Sequence, residues 1–312
     1  MSVGHAGNGR ALTSWEGQKH MRQRFGRNRW ISTAHRFGLV CLMACTGVFG
    51  LSSRGFGQAP DQAQNSSSEL LEASPNRPSS SNSADVLEPG VLQWEYGWSR
   101  EWGTEGDRQS AFGGELRFGV RRNVEFRWGG DSHVSVSNGT GGHDGFGDQY
   151  FSGQFRFKQQ SARAPALAFS YAIKVPTADE SQGLGSGRVD HTLAFLLIKE
   201  VHKISCDFNA DYQAIGQEGA SGFDQNGALI LTFQRSVYGP LSLIGEMGGE
   251  TRLNAQTPAF ATTLWAVTYK VHRQVVLDTA LDVGITNGAP HKRILFGFTY
   301  AIANLYSRHS ER

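Results

Sequence analysis

The sequence predicts an all-β chain: an antiparallel transmembrane β-barrel of about twelve strands, preceded by a signal peptide and a disordered linker. Three observations predict it. Segments of roughly ten residues alternate apolar and polar side chains from residue 91 to 302, as strands with one oily and one wet face do. The connections between these segments alternate short and long without a break. Charges collect on the wet face, which suits a barrel with lipid outside and water inside.

Composition permits this reading. The chain is 39% hydrophobic, and no apolar run approaches the roughly 20 residues a transmembrane helix needs. Barrel spans are only half apolar, so a polar average is compatible with a membrane. A net charge of +2 is too small to imply a nucleic-acid partner. Cys41, Cys45 and Cys206 allow no disulfide framework and no CxxC metal site, so neither metal nor cofactor is predicted.

Residues 1–59 have the form of a secretory signal with a long basic start that includes Arg22, Arg24, Arg27, Arg29 and Arg36. The apolar run is 37–51, and Met21 is an alternative start. Gly57-Gln58-Ala59 offers a cleavage site; Leu42-Met43-Ala44-Cys45 resembles a lipobox and is the competing possibility. Residues 60–90, rich in Ser, Asn, Pro and Gln, are expected to be a disordered periplasmic linker. Residues 303–312 form a tail after the barrel (91–302).

The strands are expected at 91–100, 110–119, 122–129, 148–158, 166–174, 190–200, 203–213, 226–236, 239–249, 259–269, 273–283 and 292–302. Leu92, Trp94, Tyr96 and Trp98 share one parity in the first. Val124, Phe126 and Trp128 do so in the third, Ile204, Cys206, Phe208, Ala210 and Tyr212 in the seventh, and Ile294, Phe296, Phe298 and Tyr300 in the last. Connections at 120–121, 159–165, 201–202, 237–238 and 270–272 are short; those at 101–109, 130–147, 175–189, 214–225, 250–258 and 284–291 are longer. Tight periplasmic turns and longer outer loops then place both ends of the barrel at the periplasmic side. Trp98, Trp102, Trp128, Tyr150, Phe151 and Tyr212 are expected at the outer aromatic girdle, with Phe118, Phe157, Phe233 and Tyr238 at the inner one.

By the same parity the lumen is lined by Glu95, Glu115, Arg117, Glu125, Arg127, Arg156, Lys158, Lys174, Asp207, Asp211, Glu246, Asp278 and Asp282. Two roles are open: salt bridges that hold the wall together, or a polar pore whose charges select solutes. The bases fall on the first half of the strands and most acids on the second, which predicts a transverse field across the lumen.

Three ordered motifs lie in the outer loops: Gly145-Phe146-Gly147-Asp148, then Lys174-Val175-Pro176-Thr177-Ala178-Asp179, then Leu184-Gly185-Ser186-Gly187 leading to Asp190. Glycine and aspartate there suit tight re-entry into a strand, or a loop folded over the pore mouth. In this order the motifs resemble the outer-membrane transporters associated with the phenol meta-cleavage pathway, a resemblance sharpest over 145–190 and looser over 91–302. It implies an outer-membrane barrel that admits hydrophobic or aromatic compounds. The chain departs from many outer-membrane barrels by not ending on an aromatic residue: it runs past Tyr306 to Arg312.

The function predicted is therefore passive uptake of small molecules, with membrane lipid, the barrel-assembly machinery and a small solute as partners. Two alternatives stand beside it. A rim hydrolase would draw on His133, His143 or His191 with Ser132, Ser135, Ser137 or Ser152, but the sequence has no Gly-x-Ser-x-Gly elbow, His-Glu-x-x-His or phosphate loop. A plugged structural or adhesive barrel would work through its outer loops alone. No catalytic residue is assigned.

Overall fold

A computed structural model describes residues 71–103, 107–138, 141–217, 221–254 and 257–306. The signal region with Met21, Cys41 and Cys45, residues 60–70 of the linker and residues 307–312 of the tail lie outside the described residues.

The strands are β1 (Val91–Trp102), β2 (Arg108–Arg121), β3 (Val124–Asn138), β4 (Gly141–Gly145), β5 (Gln149–Lys158), β6 (Ala166–Val175), β7 (Asp190–Val201), β8 (Ile204–Gly216), β9 (Phe223–Tyr238), β10 (Leu241–Glu250), β11 (Phe260–His272), β12 (Val275–Gly284) and β13 (Lys292–Asn304). Every pairing is antiparallel, and β1 pairs with both β2 and β13. The β2–β3 pairing closes the sheet, so twelve strands make the wall. The exception is β4, which pairs only with the outer end of β3 and forms a hairpin beyond it. Closure leaves no free edge in the bilayer.

The burial pattern is inverted relative to a soluble sandwich. Gln93, Glu95, Arg117, Glu125 and Gln154 are fully buried, whereas Phe126, Phe155, Phe169, Phe233 and Phe296 are exposed. The polar parity faces the lumen and the apolar parity faces lipid. Outward rings pair across strands: Trp94 meets Phe298 edge-on at 5.2 Å between centroids, and Phe157 stacks on Phe169 at 5.2 Å. Tyr150 is different. It was expected in the outer girdle, but it faces inward and its hydroxyl donates to Glu115 Oε2 at 3.2 Å.

The expected third strand, 122–129, is too short. β3 continues to Asn138 and stays paired with β2 out to Ser137. Alternation is broken there by an irregularity: Phe112 pairs with His133 and the next residue, Gly113, with Asp131, so Ser132 is an extra residue. One inserted residue moves the following side chains to the opposite face. Val134 accordingly turns inward and is fully buried, and the strand no longer keeps the parity of its first half.

The larger correction concerns the linker. Residues 71–90 have almost no regular structure, but they are ordered inside the lumen and hydrogen-bonded to its wall on many strands. Ala84 packs with Ala166, Ala168, Ala194 and Leu196; Ala73 packs with Val276 and Ala301. The barrel interior, absent from any local reading of this tract, is what orders it. At the other end, the start of the tail folds onto the same rim: Leu305 N donates to Gly90 O at 2.8 Å, and Tyr306 meets Phe118 edge-on at 5.9 Å.

Candidate functional site

The site is the lumen together with the segment in it. On the β1–β3 side, Arg117 and Arg127 are direct cross-strand partners, a repulsive pair unless anions intervene. Glu125 intervenes. Its Oε1 lies 2.8 Å from Arg117 Nε and 2.6 Å from Arg127 Nε. Glu95 takes the far side of Arg117 at 2.7 Å, and Glu115 stands 3.9 Å from Arg127. Arg127 also donates to Gln154 Oε1 at 2.7 Å. This is a buried network with its charges paired and its donors used.

On the β8–β12 side the acids Asp207, Asp211, Glu246, Asp278 and Asp282 have fewer basic partners in the wall. Asp282 pairs with Arg293 at 3.1 Å. Asp207 accepts a long hydrogen bond from Ser205, 3.4 Å, and Asp211 has an enclosed oxygen without a hydrogen-bond partner.

The lumen segment supplies donors to both sides. Asn76 N and Arg77 N donate to Glu95, at 3.2 and 3.0 Å, and Leu87 N donates to Glu125 Oε2 at 2.7 Å. Opposite, Ser80 N donates to Glu246 at 3.1 Å, and the Ser79 and Thr232 hydroxyls donate to the same carboxylate. Asn82 N donates to Asn209 Oδ1 at 2.6 Å. Arg77 pairs with Asp278 at 3.3 Å and donates to Phe296 O. Its guanidinium lies between Gly97 and Gly297, which are register partners on β1 and β13; a methyl group at either would overlap it. Arg156 reaches Asp85 of the segment at 2.8 Å.

The expected transverse field is thus cancelled at its basic end, because Glu95, Glu115 and Glu125 stand among the arginines. Lys158 is not drawn in: it is exposed at the turn end of β5, beyond a register irregularity after Arg156.

The loop motifs meet in space. Lys174 Nζ lies 3.1 Å from Asp148 and 2.9 Å from Asp190, its register partner. Asp148 Oδ1 accepts from Thr177 N and Ala178 N, both at 3.1 Å, and Thr177 Oγ1 donates to Gly147 O. Pro176 leads into this turn, Gly185 packs against Asp148, and Gly145 packs against Leu184. Gly187 has φ +62°, a backbone angle glycine adopts without strain. Asp179 caps a short 3-10 helix at Glu180–Gln182, and hydrogen bonds led by the Ser181 hydroxyl hold its carboxyl below the usual range. Leu184 is buried against Ala111 and Val134 of β2 and β3, so this loop leans inward across the outer end of the lumen. Between it and the segment is a cavity of about 450 Å³, floored by Arg77, Ser79 and Ser80 and lined by Tyr150, Asp211 and Glu250.

Sequence reasoning missed the segment's own residues: Arg77, Ser79, Asn82 and Asp85. A signal was present, because a tract rich in Ser and Asn offers many hydrogen-bond groups to a lumen of buried carboxylates. The hydrolase residues are not assembled. Among the described residues no hydrogen bond joins the named histidines to a serine hydroxyl. His191 Nδ1 instead meets Tyr171 Oη at 2.7 Å, and Ser132 donates to Phe112 O.

Comparison with known proteins agrees with this architecture. Residues 75–287 match the family described as "Putative MetA-pathway of phenol degradation". An outer membrane channel from Pseudomonas putida F1 superposes with TM-score 0.57 at 14% identity, covering 74% of this chain and 100% of that one. The KdgM porin, solved in complex with disordered oligogalacturonate, gives 0.46 at 8% identity (68% and 99% covered), and the NanC porin 0.48 at 7% (68% and 100%). No curated protein matches the sequence. At 14% identity the likeness to the Pseudomonas putida channel speaks for the fold alone, a closed barrel of outer-membrane type.

Proposed function

The chain belongs to this phenol-degradation family, and from that premise we propose that it is an outer-membrane channel for passive uptake of small molecules, held closed by residues 71–90. The observation that carries the reading is the kind of contact made by the segment. It is tied to the wall by hydrogen bonds and three ion pairs, Glu72–Lys270, Arg77–Asp278 and Asp85–Arg156, with small apolar contacts at Ala73 and Ala84. Polar contacts of this kind can exchange for water, because each is worth only about 0.5–3 kcal/mol net, the upper end for those to carboxylates. The paired network of β1–β3 stays in the wall when the segment leaves, so the barrel keeps its shape.

The solutes we propose are small hydrophobic or aromatic compounds, in keeping with the family. They would enter past the inward-leaning loop 176–189, rest in the cavity beneath it and pass inward when the segment withdraws. The pore lining would be Glu115, Arg117, Glu125, Arg127, Arg156, Lys174, Asp207, Asp211, Glu246, Asp278 and Asp282. We read the chain as a channel and not as a rim hydrolase, since His191 and Ser132 bond to Tyr171 and Phe112 and, among the described residues, no hydrogen bond joins a candidate histidine to a candidate serine. Membrane lipid surrounds the barrel, and the assembly machinery inserts it.

Single-channel recording tests the proposal. The protein from about residue 60 should show rare, small openings, and deletion of 71–88 should give large, persistent steps. A cysteine pair at Asn82 and Asn209, oxidised to hold the segment, should silence the channel until it is reduced. Equal conductance in all three states would refute closure by the segment, and silence in all three would refute the channel reading.

A further inference from the structure

The outward face near the long-loop end of β13, β1 and β2 carries a group of charges that the lumen argument does not use. Arg100, Trp102, Arg108 and Lys292 all sit on the lipid-facing parity. Trp102 is the register partner of both Lys292 and Arg108. The ammonium of Lys292 lies 4.9 Å from the Trp102 ring centroid, and the guanidinium carbon of Arg100 lies 5.6 Å from it. Two cations thus hold to one indole, and the third is on the next strand.

Among the described residues none of the three forms an ion pair, and Arg100 Nε is enclosed without an acceptor. The described carboxylates nearest along these strands are Glu101, Asp107 and Asp282; Glu101 and Asp107 each adjoin a residue of the group in sequence and so take the alternate parity, and Asp282 is paired with Arg293. Outward neighbours at this height are neutral: Ser110, Ser137, Val283 and Ile294. Charge repulsion among three cations is unfavourable unless an anion joins them.

The rung below says what sort of anion. Directly beneath Arg100 on the same face, Trp98 stacks on Phe296 at 6.0 Å, and Phe112, the partner of Trp98, is exposed. That surface faces hydrocarbon. A molecule that neutralises the cations must therefore present its anionic group at the bilayer surface and apolar chains just below it. We propose that Arg100, Arg108 and Lys292, ordered around Trp102, form a binding site for the phosphate-bearing headgroup of an outer-leaflet lipid. Each guanidinium offers paired donors to phosphate oxygens, the ammonium adds a point charge, and the indole sits at the headgroup level where tryptophan is favoured.

The test uses the intact barrel in phosphatidylcholine nanodiscs, with diphosphoryl lipid A as the probe and bound lipid read by native mass spectrometry. Wild type should retain the probe, and Arg100→Gln/Arg108→Gln/Lys292→Gln should weaken binding on the order of a hundredfold, since each lysine or arginine at an anionic surface contributes about a factor of five. Dephosphorylated probe should bind wild type no better than the triple variant binds the intact probe. Inorganic phosphate at the same concentration should not compete; effective competition would make this a soluble-anion site and overturn the lipid assignment. A control, Lys158→Gln/Arg163→Gln/Lys203→Gln, removes three cations from the turn end and should leave binding unchanged; an equal loss there would mean nonspecific charge attraction. If the triple variant fails to fold, Trp102→Leu and Lys292→Gln singly should each weaken binding several-fold, and wild-type binding in both would overturn the proposal.

Discussion

The two sides of the lumen solve the same problem differently. Both bury acids in a channel wall, where an unpaired carboxylate is costly. On the β1–β3 side the wall brings its own cations, and Arg117 and Arg127 share Glu125 at 2.8 and 2.6 Å. On the β8–β12 side the wall brings few, and its acids lean on a segment from elsewhere in the chain: Glu246 on Ser79 and Ser80, Asp278 on Arg77. The segment bonds to both sides, but only on the first does the wall also supply the cations, so in the proposed opening the first would keep its ion pairs and the second would lose its partners. A channel needs both, one to keep its shape and one to change state.

The sharpest way to break the contrast is Arg117→Ala. It leaves Glu95 and Glu125 short of their shared cation inside the wall, and breaking a buried pair costs about 3–5 kcal/mol. Urea unfolding in micelles should show that loss; a change below about 1 kcal/mol would mean the network is not structural. Glu246→Gln should do the reverse, leaving the barrel nearly as stable while loosening the segment by about 1–3 kcal/mol. The check is labelling of a cysteine at Ser80, which should speed up without a matching shift in urea midpoint. Gly97→Ala crowds the seat of Arg77 and should also speed that labelling, by less, because only one end of the segment is displaced. Asp179 gives the smallest effect. Its carboxyl is held below the usual range, so the cap it provides is present above the ordinary carboxylate pKa of about 4 and is lost as pH falls through the lower folded value. Hydrogen exchange of 180–183 should rise in acid in the native chain, and Asp179→Asn should remove the dependence.

The wall was legible in the sequence, because a membrane strand writes its two environments into alternate positions. Asp207 and Phe208 could be assigned to opposite faces from parity alone. Two features were not legible, for different reasons. Ser132 shifts the parity inside β3, and a period-two reading has no means of carrying on through an inserted residue. Residues 71–90 have the composition of a disordered linker, and their order comes from partners such as Asn209 and Glu246, 127 and 166 residues away from Asn82 and Ser80. No local pattern records such distant partners. For the loop motifs, the chemistry was visible but not the meeting of Asp148, Lys174 and Asp190, which depends on the pairing of β5, β6 and β7.

Arg77 also bears on how the cylinder is made. Any barrel must join its first strand to its last, and here that means holding Val91 beside Asn304 across more than two hundred intervening residues. Loop closure over such a span carries an entropic cost that nearby contacts do not. Arg77 lies in the groove between Gly97 of β1 and Gly297 of β13 and grips Phe296 and Asp278 on the far side. The segment that occupies the passage therefore also touches both strands of the last joint of the wall, and its withdrawal would uncover the Gly97–Gly297 groove while the β1–β13 ladder stays paired.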